Sequence, residues 1–83
     1  MTTFEKSIES KVLEAINSNN FTDSGENYSE NRIMVWGSGN WETTCLNEYG
    51  SRYGSMKSGN IKLTEDEKAY IEDIPWKHIS IEY

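Results

Sequence analysis

Phe4, Ile8, Val12, Leu13 and Ile16 recur at the interval of one helical face, with Glu5, Lys6, Glu9, Lys11 and Glu14 between them. This spacing predicts an amphipathic helix over Thr3–Asn17, capped by Thr2 or Thr3 and stopped by Ser18-Asn19-Asn20. The stretch from Ser18 to Asn31 is rich in Ser, Asn, Asp and Gly, carries Asp23, Glu26 and Glu30, and reads as a long acidic loop tethered by Phe21 and Tyr28.

The period then shortens to two. Arg32-Ile-Met-Val-Trp36 and Trp41-Glu-Thr-Thr-Cys-Leu46 are β-branched and aromatic, and Gly37-Ser-Gly-Asn40 between them supplies turn residues, which predicts a β-hairpin over 32–46. Alternation sets Ile33 and Val35 on one face, Met34 and Trp36 on the other; it sets Trp41, Thr43 and Cys45 opposite Glu42, Thr44 and Leu46. The segment Tyr49-Gly-Ser51, Arg52, Tyr53-Gly-Ser55 and Ser58-Gly-Asn60 reads mostly as turn chemistry, with a short strand through Tyr53 to Lys57 extending the sheet.

Thr64-Glu-Asp-Glu67 fits a capping box and opens a second helix over 65–73. Pro75 turns Ile74 away from helical geometry, and the alternation of Ile79, Ile81 and Tyr83 predicts a final strand over 76–83. Helix, hairpin, short strand, helix and strand give a single α+β domain over 1–83, a small antiparallel or mixed sheet packed with two helices. If the last strand lies at an edge, Lys77 and Glu82 deter pairing with another chain.

At 83 residues the core is modest, and an aromatic share of 12% means that a few large rings supply much of the burial. Charge sharpens the picture. Tyr49–Lys62 carries Arg52, Lys57 and Lys62 and no acid, whereas Leu63–Trp76 carries Glu65, Asp66, Glu67, Glu72 and Asp73 against Lys68 alone. The chain thus presents a basic glycine-rich segment beside an acidic helix, at a net charge of −6.

Candidate chemistry is sparse. One His and one Cys exclude an ordinary zinc site, and the oxygen-rich Asp23–Glu30 stretch lacks the ligand spacing of an EF-hand, so neither metal nor cofactor is expected. Cys45 with His78 is the best nucleophile pair on offer, but a mid-strand Cys reads better as a small buried hydrophobe, and the chain is read as non-enzymatic. Arg52, Lys57 and Lys62 beside Tyr49 and Tyr53 suit nucleic acid, yet the net charge opposes direct binding. No apolar run approaches the ~20 residues of a membrane span, and the lone Cys45 with no cleavable leader points to the cytoplasm. Two sequons, at Asn20 and Asn27, carry no weight without secretion.

What remains is a protein-binding surface: the acids Glu65, Asp66, Glu67, Glu72 and Asp73, with Tyr49, Arg52, Tyr53, Trp36 and Trp41 as aromatic and cationic contacts. Spaced carboxylates of this kind can occupy the basic surface of a nucleic-acid-handling protein. In length, acidity and residue usage the chain resembles the small inhibitors carried by bacteriophages and mobile elements, anti-CRISPR proteins among them; the resemblance assigns no residue. It implies an inhibitor acting in the host cytoplasm and leaves the target open; the charge separation points to a nucleic-acid-binding protein or complex as that target. The alternatives are a structural or assembly subunit that self-associates, as a homodimer or larger, and an immunity protein for a nuclease toxin.

Overall fold

A computed structural model describes residues 3–23, 32–46 and 52–82. The elements in chain order are α1 (Thr3–Asn17), β1 (Thr22–Asp23), β2 (Arg32–Trp36), β3 (Asn40–Leu46), β4 (Arg52–Asn60), α2 (Glu65–Glu72) and β5 (His78–Glu82). The strands form one antiparallel sheet in the order β1-β4-β3-β2-β5, and with the two helices this is an α+β fold. The helix over Thr3–Asn17, the hairpin and the C-terminal strand stand where the hydrophobic pattern places them.

α1 buries Ile8, Val12 and Ala15. Its end is set by Asn19, whose positive φ of 59° brings Asn19 N–H to Ile16 C=O (3.1 Å) and Asn20 N–H to Ala15 C=O (2.8 Å). This is a Schellman stop built on Asn instead of Gly. Register places Ile33 between Thr43 and Ile81, and Val35 between Trp41 and Ile79. These rows share one sheet face and form the core with Ile8, Val12, Ala15, Ile61 and Ile71, so both helices lie on that face.

The hairpin connection closes with Gly39 N–H donating to Trp36 C=O (2.9 Å), and Gly39 takes φ +91°. Its own carbonyl accepts from Ile61 N–H (2.9 Å), and a Cβ at this position would run into the Ile61 carbonyl oxygen. Gly39→Ala is therefore expected to cost roughly 2–3 kcal/mol, from an unfavourable φ and a backbone collision together, read as a melting temperature lowered by about 10 °C or more.

Two expectations need correction. The segment read as mostly turn is the nine-residue strand β4, paired with both β3 and β1. Gly59 fits a strand because the Trp41 indole lies over it, and Asn60 because its side-chain amide donates to Asn40 Oδ1 (2.8 Å) across the ladder. The stretch read as an unbroken loop from Ser18 contains β1, which pairs Thr22 and Asp23 with Ser58 and Lys57. Phe21 is tethered as expected, partly buried against the core with Lys57 Nζ 5.5 Å from its ring centroid; Tyr28 lies outside the described residues.

β4 is irregular. Thr43 faces Lys57 while Thr44 faces Ser55, and Cys45 faces Gly54 while Leu46 faces Arg52, so Met56 and Tyr53 are extra residues on β4. Lys57 N–H donates to Thr43 Oγ1 (3.0 Å) at the first bulge. Thr43 and Thr44 are both fully buried, so this end of the sheet is shielded on both faces.

Candidate interaction surface

Thr64 caps α2 as the sequence predicts: its Oγ1 accepts from Glu67 N–H (3.1 Å), and Glu67 Oε1 accepts from Thr64 N–H (2.8 Å). The same Glu67 side chain reaches α1. Its Oε1 accepts from Lys11 Nζ, and its Oε2 from Ser7 Oγ (2.6 Å). Lys11 Nζ also donates to the Lys62 carbonyl (3.1 Å), so one ammonium ties α1 to the entry of α2. Burial acts to raise the Glu67 pKa, but the hydrogen bonds from Lys11, Ser7 and Thr64, with the Lys11 charge, outweigh it and lower the carboxyl from 4.5 to about 2.

Glu67 is only 2% exposed and belongs to the helix–helix contact, not to the acidic surface where the sequence placed it. The other four acids are exposed. Glu65 and Glu72 are seven residues apart and project in nearly the same direction, as do Asp66 and Asp73, with about 10 Å between the two pairs along the axis. Four carboxylates in that length compare with about six phosphates on a duplex and about three on a single strand.

The two pairs differ in what holds them. Glu65 and Asp66 sit at the positive end of the helix dipole, which favours them. Glu72 and Asp73 sit at the negative end, where the dipole disfavours acids, and the last turn contains no basic residue. Lys11 pairs with Glu67, and among the described residues neither Glu72 nor Asp73 has an ion-pair partner. Lys77 Nζ donates to the Glu72 backbone carbonyl (2.7 Å) and thereby closes the helix end. The Glu72 carboxylate lies against Gly37 of the hairpin turn.

Beyond α2 the chain makes a second fixed turn. Lys77 N–H donates to Ile74 C=O (2.9 Å), Pro75 supplies its preset φ at the second position, and Lys77 takes φ +60°. Trp76 stands on this turn and is 76% exposed. Sequence reasoning missed it by reading Trp76 as the first residue of a strand that starts at His78. The Pro in Ile-Pro-Trp-Lys was the signal available, since Pro presets the φ that the second place of a four-residue turn requires.

The remaining candidates separate. Trp41 is 1% exposed and fills the core, so it leaves the surface set. Trp36 is half-buried on the sheet face away from the helices, its ring 5.6 Å from that of His78, beside a shallow depression of about 580 Å³ bordered by Thr22, Ser38, Asn40 and Ser58. Arg52 and Tyr53 open β4, and Tyr49 lies outside the described residues. The face holding Trp36 is thus a different part of the surface from α2 and the turn that follows it. Tyr70 joins α2 to α1, its hydroxyl donating to Glu5 Oε1 (3.3 Å) and its ring 5.4 Å from Phe4.

Cys45 and His78 occupy opposite ends of the sheet. His78 pairs with Trp36, while Cys45 follows Thr44, the partner of Arg32, which separates them by about 13 Å or more along the strands. A nucleophile and its base need hydrogen-bond reach. Among the described residues no three His, Cys, Asp or Glu side chains gather to hold a metal ion, and apart from Asp23 the oxygen-rich 23–30 stretch lies outside them. No described helix is long and apolar enough to cross a membrane. Compared with protein-family models, curated proteins and solved structures, the chain matches none.

Proposed function

We propose that this chain is a non-enzymatic, protein-binding inhibitor that docks the exposed acids of α2 and the adjacent Trp76 onto a basic surface of a nucleic-acid-handling protein. The observation that carries this reading is the placement of Glu72 and Asp73. Both are exposed at the helix end that disfavours them, lack an ion-pair partner among the described residues, and adjoin the most exposed large apolar side chain described. Local rules are broken chiefly where function demands it. A tryptophan held on an ordered turn loses little freedom on binding and suits an interface anchor; carboxylates around it steer a cationic partner and set orientation.

The charge density of α2, between those of one and two nucleic-acid strands, suits a groove that ordinarily holds phosphates. Small inhibitors of this kind act against defence or nucleic-acid complexes, and the phage or mobile-element setting belongs to this proposal.

The acids at the end of α2 give a test that separates fold from function. Asp73→Lys with Glu72→Lys should change stability by no more than a few tenths of a kcal/mol, the helix dipole favouring the new lysines and the Lys77 ammonium on the Glu72 carbonyl opposing them, and should weaken partner binding about tenfold or more. Capture from host lysate at low salt by the tagged wild type, the double variant and Trp76→Ala would read the binding. The reading requires a basic nucleic-acid-binding protein that the wild type retains, that high salt releases, and that both variants lose. Equal retention by all three chains removes it.

A further inference from the structure

β5 closes one edge of the sheet, and among the described residues it pairs with β2 alone. Edge strands are ordinarily protected by charges that oppose a second strand. Here one of the two expected guards does not act in that way: the Lys77 ammonium is turned back onto the Glu72 carbonyl of its own chain (2.7 Å). The other, Glu82, lies opposite Arg32 in its own sheet, and His78 stands at the far end of the same strand.

We infer that β5 is a self-pairing strand whose partner is β5 of a second copy of this chain, antiparallel about a two-fold axis at Ser80. The strand's own pattern selects this register. Directly opposite residues of an antiparallel pair point to the same face, so the axis must pass through a residue, and the choices are Ile79, Ser80 and Ile81. Within the described strand His78–Glu82, a pair centred on Ile79 or Ile81 matches three residues of each copy and sets Ser80 opposite His78 or Glu82. Centring on Ser80 matches all five.

In that register His78 stands opposite Glu82 of the second copy on the outer face, twice by symmetry, and Ile79 stands opposite Ile81 on the helix-covered face. The outer face gains an imidazole–carboxylate pair at each end, and the isoleucine row continues from one copy into the next. Ser80, exposed and small, places no bulk on the axis. Both copies keep their helices on the same side, as the two-fold requires.

This surface is distinct from the acidic end of α2, and salt distinguishes the two. Each chain carries a net charge of −6, so two copies repel at long range and screening favours the dimer, whereas screening weakens an acid-to-base complex.

Sedimentation velocity on the full chain from about 1 µM to about 1 mM tests it, alongside Ser80→Lys and Ser80→Cys. The interface is smaller than the ~1,200 Å² of stable complexes, so the expected result is a weak dimer that strengthens with salt. Ser80→Lys sets two ammonium groups opposite each other and should weaken it about fivefold or more, with an unchanged circular dichroism spectrum. Ser80→Cys should cross-link two copies through position 80 under mild oxidation, because Cα atoms ~4.5–5.5 Å apart across the axis fall in the disulfide range. A chain monomeric at ~1 mM overturns the inference. So does a dimer indifferent to Ser80→Lys, or one whose cross-linked peptide does not join position 80 to itself.

Discussion

Glu67→Gln is expected to lower stability by about 3 kcal/mol at neutral pH and to flatten the acid side of the stability profile. The Glu67 carboxyl is held at about 2 in the fold against an ordinary 4.5, and each pK unit corresponds to about 1.4 kcal/mol. Because the folded value is the lower one, the contribution is fully present above about pH 4.5 and is lost as pH falls toward 2. More than half of it should be gone by about pH 3.

Urea unfolding at pH 7 and pH 3 therefore has a definite expectation: a gap of about 3 kcal/mol between wild type and Glu67→Gln that shrinks to less than half in acid. A gap independent of pH would show that the loss comes from packing or capping, not from the ionised carboxylate. Removing Lys11 as well, as Lys11→Met with Glu67→Gln, should recover part of the loss, since deleting both members of a buried pair costs less than stranding one.

The second large effect lies at the centre of the sheet. Trp41 is 1% exposed and its indole lies over Gly59, where an added Cβ would come within 3.0 Å of three indole atoms. Among the described residues the buried indole N–H has no hydrogen-bond partner. Trp41→Ala should cost about 3–5 kcal/mol through the cavity it leaves. Trp41→Phe should cost much less, because the smaller ring keeps most of the burial while removing an unsatisfied donor worth about 1–3 kcal/mol. Gly59→Ala should destabilise the wild type more than it destabilises Trp41→Phe, whose single ring has no counterpart of the crowded Cζ2, giving a coupling of about 1 kcal/mol in a double-mutant cycle. Additive effects would mean that Gly59 is required by its backbone alone.

The elements most legible in the sequence were those whose determinants are local. α1 follows from the spacing of Ile8 and Val12 and from an Asn-rich stop, α2 from Thr64 and Glu67, and the hairpin from Gly37 to Asn40. β4 was largely hidden, because Gly59 suits a strand only beneath a ring supplied by β3, and the two extra residues at Tyr53 and Met56 blur its alternation. Two of the three tryptophans were misplaced for a similar reason: at Trp41 strand alternation does not say which face the helices cover, and at Trp76 the turn was taken for strand. Glu67 shows the limit most sharply. A capping-box glutamate is ordinarily exposed, and only the arrival of Ser7 and Lys11 from α1 turns it into a buried anion.

That clamp also sets an order of events. Ser7 and Lys11 lie 60 and 56 residues before the acceptor they share. During synthesis α1 is therefore complete long before Glu67 exists, and an isolated helix of that length is marginal in water. The contact spans most of the chain, so its formation carries the loop-closure entropy of a late, non-local step. α1 is clamped only when α2 has been made, and the buried carboxylate then acts as the latch that joins the earlier-made helix to the later one.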